Sequence, residues 1–168
     1  ETGWVPEPPA ETRVDIPKKV LINEIQIDGK DGPGGADDDW VELHNPGSED
    51  VSLDGWSVQE HSSSEPCSVL SGFSKKNFPS DALIGAGQFF LITATQADDS
   101  LKNIADMTIG WSLTEGNTIY IVRGKEAIES GEDSDIMDKV GFGPNSCFPE
   151  GEPAPNPPEG GSIERREL

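Results

Sequence analysis

Residues 38–59, DDWVELHNPGSEDVSLDGWSVQ, constrain this chain more than any other stretch. Val41 and Leu43 alternate with Trp40, Glu42 and His44. That period of two places alternate side chains on opposite faces of a sheet. Asn45-Pro46-Gly47 then interrupts the pattern with turn chemistry. A second alternating run follows through Val51, Leu53, Asp54-Gly55, Trp56 and Val58. The pattern predicts a β-hairpin from Asp38 to Gln59, with Val41, Leu43, Leu53 and Trp56 in the core.

The remainder reads as more short strands. Val20–Ile27, Gln88–Thr95, Thr118–Arg123 and Asp135–Phe142 are rich in β-branched and aromatic residues. The continuous apolar run Phe89–Ile92 predicts burial on both faces of its strand. In Asp135–Phe142, alternation places Ile136 and Val140 opposite Met137 and Lys139. Glu60–Asn77 reads as polar and irregular, with a short strand at Ser68–Gly72, and Gln96–Asp106 as weakly helical. Pro144 to Pro158 is too proline-dense for a helix or a central strand. Ser162-Ile163 is placed as an edge pairing. Nineteen glycines and 14 prolines among 168 residues fit strands joined by many turns better than a helix bundle. The expected class is all-β, an antiparallel β-sandwich.

Residues 1–18 carry Pro6, Pro8, Pro9 and Pro17 and read as a linker or a vector-derived N-terminus. Residues 19–166 are assigned to one domain. No apolar run reaches the roughly 18 residues of a membrane span, so no membrane insertion is expected. The net charge of −20 repels phosphate backbones, which argues against a nucleic-acid partner, and attracts cations and basic partners. The cysteines Cys67 and Cys147 are read as one disulfide, which points to an extracellular or cell-surface setting. The two histidines, His44 and His61, lack ligand spacing, which argues against zinc.

With the strands placed, seven segments in order resemble the lamin tail domain in its prokaryotic, extracellular form. Ile22-Asn23-Glu24-Ile25 resembles the opening strand, and Asp39-Trp40-Val41-Glu42-Leu43-His44-Asn45 the acidic–aromatic–aliphatic-Glu-Leu-x-Asn motif. Val51-Ser52-Leu53-Asp54-Gly55-Trp56 is similar to the V-x-L-(S/D)-G-W motif. Gly87–Ile92 resembles the apolar strand after the family's Pro-Gly turn, with Ala86 in place of the usual proline. Gly116–Val122 and Asp138–Gly143 resemble the closing strands, and Gly161-Ser162-Ile163-Glu164-Arg165 the ending common in prokaryotic members. The resemblance implies an immunoglobulin-like sandwich and a non-enzymatic module of secreted or surface proteins.

Candidate functional residues follow. Asp28, Asp31, Asp37, Asp38 and Asp39 lie on a glycine-rich loop and are the candidate ligands for a hard cation such as calcium, although Lys30 breaks an EF-hand pattern and no Glu closes the loop. Glu24, Glu42 and Asn45 belong to framework motifs. They are assigned to structure rather than to a carboxylate-based hydrolase, with Asn45 capping the turn before Pro46. Gly55 and Trp56 are framework as well. Trp40, Trp56 and Trp111 are candidates for a carbohydrate platform, with Trp56 expected in the core. No nucleophile elbow, phosphate loop or zinc-protease helix is present. The expectation is a non-catalytic binding or tethering module for a protein or cell-surface ligand, with contacts on the loops.

Overall fold

The structure, a computed structural model, describes residues 20–27, 38–68 and 73–166. Eleven strands and one helical turn follow in order: β1 (Leu21–Gln26), β2 (Trp40–His44), β3 (Val51–Ser52), β4 (Ser57–His61), β5 (Phe73–Asn77), β6 (Leu83–Ile84), β7 (Phe89–Ala94), α1 (Asp99–Lys102), β8 (Met107–Ile109), β9 (Thr118–Val122), β10 (Ile136–Gly141) and β11 (Ser162–Glu164). They form a five-stranded sheet, β11-β1-β2-β7-β8, a four-stranded sheet, β10-β9-β4-β5, and a two-stranded ribbon, β3-β6. Ile22, Ile25, Val41, Leu43 and Ile92 of the first sheet pack with Val58, Ile119 and Ile121 of the second in one core. This is an all-β, immunoglobulin-like sandwich in which every strand pairing is antiparallel except β7 with β8.

The expected hairpin does not form. β2 pairs with β1 and β7, whereas β4 lies in the other sheet between β9 and β5. The alternating pattern sets which side chains face inward, but the partner of a strand is a long-range choice that the pattern leaves open. Asn45 governs the crossing. Its Nδ2 donates to the carbonyls of Glu49 (2.8 Å), Ile84 (3.0 Å) and Gly85 (3.1 Å), and its Oδ1 accepts from Gly47 N (3.0 Å). The turn-capping role is therefore present, and the same side chain also fastens the β6 end to β2. Gly55, at φ +84°, makes the second turn, and Trp56 enters the core beneath the Arg123 guanidinium, 5.5 Å from its ring centroid. Asn45→Ala leaves the buried Ile84 carbonyl without this donor. It is expected to lower stability by about 2 kcal/mol, read as a fall in the urea midpoint at unchanged slope.

Four further local differences have physical causes. Glu60–Asn77 is not irregular throughout, because β4 runs to His61 and pairs with β5. β8 is a three-residue strand, too short for its pattern to stand out, and its parallel pairing follows the α1 turn. Phe89 is 48% exposed and Leu91 half-buried, so β7 is buried on both faces only toward its end. In β10 a bulge between Ile136 and Asp138 shifts the register. Met137 and Val140 therefore both pack on the main core, while Ile136 joins Tyr120, Val122 and Ile128 on the opposite face. The expected edge pairing of Ser162-Ile163 forms, and its partner is β1.

Candidate functional site

The outer faces of the two sheets differ. Alternation turns Ser57, Gln59 and His61 of β4 and Thr118, Tyr120 and Val122 of β9 outward, yet all six are buried. The chain covers them itself. Ser57 Oγ donates to the Gly124 carbonyl (2.7 Å), Gln59 Nε2 donates to the Glu126 carbonyl (2.8 Å), and Ile128 N donates back to Gln59 Oε1 (2.9 Å). From the other end, the Cys147 carbonyl accepts from Thr118 Oγ1 (2.6 Å), and Phe148 meets His61 edge-on. Cys147 is joined to Cys67, the expected disulfide, so the cover is covalently pinned.

The outer face of the five-stranded sheet carries no such cover among the described residues. Register places three rows across it. Glu164, Glu24, Glu42 and Leu91 stand side by side on β11, β1, β2 and β7. On one side lies the row of His44 and Phe89, with the rings stacked at a centroid distance of 4.5 Å. On the other lies the row of Ser162, Gln26 and Trp40. Glu24, Gln26, Trp40, Glu42 and Leu91 are all half-buried, and Phe89 is exposed. Ser162 Oγ donates to Glu24, and Asn23 Nδ2 donates to Glu42 (2.7 Å).

A second concavity of about 490 Å³ opens at the seam between β1, β11 and β10. Two of its three cations, Lys139 and Arg165, are engaged internally. Lys139 Nζ donates to the Gly131 carbonyl and pairs with Glu132 at 2.6 Å. Arg165 Nη2 donates to buried Asp138 (2.8 Å), while its Nε donates to the Ile22 carbonyl (3.0 Å). Ile22 N also donates to Asp138 (2.6 Å). The seam is thus a clamp that joins the two sheets.

At the opposite end of the interior, Asp39 and Glu60 form a buried acidic pair. Asp39 Oδ2 accepts from Leu113 N (2.6 Å), and Glu60 accepts from Asn117 Nδ2. Burial first, and the Asp39 charge second, raise the Glu60 pKa to about 7. In the unfolded chain Glu60 ionises near 4.5, so folding takes up a proton between the two values. The stability from this site is full below about pH 4.5 and is lost as pH rises through about 7. Glu60→Gln is accordingly expected to stabilise the fold by about 2 kcal/mol at pH 8 and by almost nothing at pH 4, measured by chemical unfolding at both values.

A family model of the lamin tail domain matches residues 16–142. The chain belongs to that family. No curated protein matches it. In this lamin tail domain the framework motifs acquire physical roles. Val41, Leu43 and Leu53 are wholly buried, Trp56 is core, Asn45 is the crossover hub and Asp39 anchors the 113 loop. The family is immunoglobulin-like and commonly non-catalytic.

The loop candidates divide. Asp28, Asp31 and Asp37 lie outside the described residues. Asp38 Oδ1 accepts from Asp98 N (2.7 Å), and Asp39 faces the interior. Among the described residues, no group of three His, Cys, Asp or Glu side chains is placed to hold a metal. The three-tryptophan platform does not form, because Trp56 and Trp111 are buried and only Trp40 stands on an open face. No helix of the described residues is long and apolar enough to cross a membrane. Sequence reasoning missed Phe89 and Glu164 as members of a surface site. Their positions beside Glu24 and Glu42 depend on strand pairings that only the fold supplies.

Proposed function

We propose that this lamin tail domain is a non-catalytic binding or tethering module of a larger secreted or surface protein, and that it engages a protein ligand through the outer face of its five-stranded sheet. The observation that carries this reading is the asymmetry of the sandwich. The four-stranded sheet's outer face is buried under the 124–134 loop and the disulfide-pinned segment, whereas the opposite face leaves Phe89, Leu91 and Trp40 in contact with solvent. Apolar and aromatic side chains rimmed by polar ones on an open sheet are the composition of an interaction surface. The disulfide supports an oxidising compartment.

The carboxylates Glu24 and Glu42 stand opposite each other on this face, and neither described histidine lies in their row. This supports a role in binding and not in acid–base turnover. The test is a panel of phosphoesters, carboxylic esters and glycosides. No turnover above the rate of a Glu24→Gln/Glu42→Gln variant is expected, and a rate abolished by that variant would contradict the reading.

A further inference from the structure

The geometry points to a specific chemical class of ligand for the open sheet face: a basic, extended peptide segment whose lysine or arginine side chains lie on the Glu164–Glu24–Glu42 row between two aromatic groups. This inference rests on the proposed assignment of that face as the binding surface.

Like charges directly opposite each other on neighbouring strands oppose sheet formation. Here three carboxylates stand in register on three adjacent strands. Among the described residues none of the three is ion-paired, whereas Lys102 pairs with Asp99, Lys125 with Asp54, Lys139 with Glu132 and Arg165 with Asp138. The row is hydrogen-bonded by Ser162 and Asn23 but has no ion-pair partner among the described residues, on a face that also carries Trp40, Leu91 and Phe89. Neighbouring strands lie roughly 5 Å apart, so the row spans about 10 Å. Two cationic side chains of an extended peptide, roughly 7 Å apart at alternate positions, fit along it.

The flanking rows fit the same ligand. Trp40 stands two positions along β2 on one side of Glu42, and Phe89 faces His44 two positions along on the other. Each aromatic therefore lies roughly 7 Å from the carboxylate row. A ring beside a carboxylate attracts an ammonium or guanidinium group by both its face quadrupole and the neighbouring charge. Leu91 ends the row and offers apolar area to the stem of a lysine or arginine. The net charge of −20 draws a basic partner toward the whole molecule, and this face combines carboxylates with rings.

The test uses the full chain and a capped peptide alternating lysine and threonine, in physiological salt. Two-dimensional amide spectra locate the contact, and fluorescence anisotropy gives the affinity. The expected result is shifts confined to β1, β2, β7, β11 and the Trp40 indole. Glu24→Gln/Glu42→Gln/Glu164→Gln is expected to weaken binding about tenfold or more, while Glu65→Gln/Asp81→Asn/Glu129→Gln, an equal loss of exposed charge elsewhere, weakens it less than about twofold. Equal losses from the two sets would overturn the inference, because net charge alone would then explain binding. Shifts outside this face would overturn it too, as would shifts on it from neutral chitohexaose but none from the peptide. If the triple variant does not fold, Glu164→Gln/Phe89→Ala decides, since both residues are exposed; an affinity unchanged by that pair would also overturn the inference. Loss of this peptide contact in a protein whose open face is still shielded by a native ligand would reject the ligand class and leave the assignment of the face standing.

Discussion

Breaking the Cys67–Cys147 disulfide is expected to lower the unfolding free energy by about 4 kcal/mol and the melting temperature by roughly 10 °C. The bond closes a loop of 80 residues, and the unfolded chain regains the entropy of that loop when it opens. The loss is not distributed evenly. Cys147 is buried, and its carbonyl holds Thr118 Oγ1 over the four-stranded sheet. The segment around it covers His61 and Tyr120, so amide exchange should rise first at β9 and β4 and least at β2 and β7. A Cys67→Ser/Cys147→Ser variant melted beside the native protein with and without reductant checks both parts. Reductant should shift the native protein toward the variant and leave the variant unchanged.

Asp138→Ala is expected to cost about 3 to 4 kcal/mol, read by chemical unfolding. The carboxylate is buried on β10 of one sheet and accepts from Ile22 N and Arg165 Nη2 of the other. Burial raises its pKa more than the Ile22 amide and the Arg165 charge lower it, so part of the pair's attraction is spent on desolvation. Removing the carboxylate leaves an amide and a guanidinium without their acceptor in the seam between the sheets. Asp138→Asn keeps one acceptor oxygen and should cost less. A double-mutant cycle with Arg165→Ala isolates the pair, and a coupling of about 1 to 2 kcal/mol is expected. Because the Asp138 and Glu60 pKa values are both raised, each site favours the folded state more as pH falls from neutral toward the normal carboxylate range.

These two sites show what the sequence could and could not convey. The Arg165 ending and the Asp138 strand were each legible as family segments, but nothing in either predicts that one clamps the other, since 27 residues separate them and the contact crosses between sheets. Strands were legible because alternation is local. Val41, Leu43 and Leu53 are buried where the pattern placed them. The hairpin failed because pairing is not local, and β2 and β4 choose partners far along the chain. The Ile136–Val140 alternation failed because one extra residue in a bulge reverses parity without a sequence mark as plain as glycine or proline. The apolar run predicts burial of Phe89, whereas the structure turns it to the surface at the start of β7. Glu24 and Glu42 were legible as framework, and their cross-strand register is what makes them half of a surface row.

The measurement that tests the central claim most directly is footprinting of side chains in the native protein, labelled while bound in its natural setting and again after purification. Burial at a ligand interface lowers labelling without any need to know the ligand. The account predicts selective protection of Phe89, Leu91 and Trp40 in the bound sample, with exposed Leu83 and Ile104 labelled equally in both. Unchanged labelling of the open face, with protection confined to the loops, would contradict it.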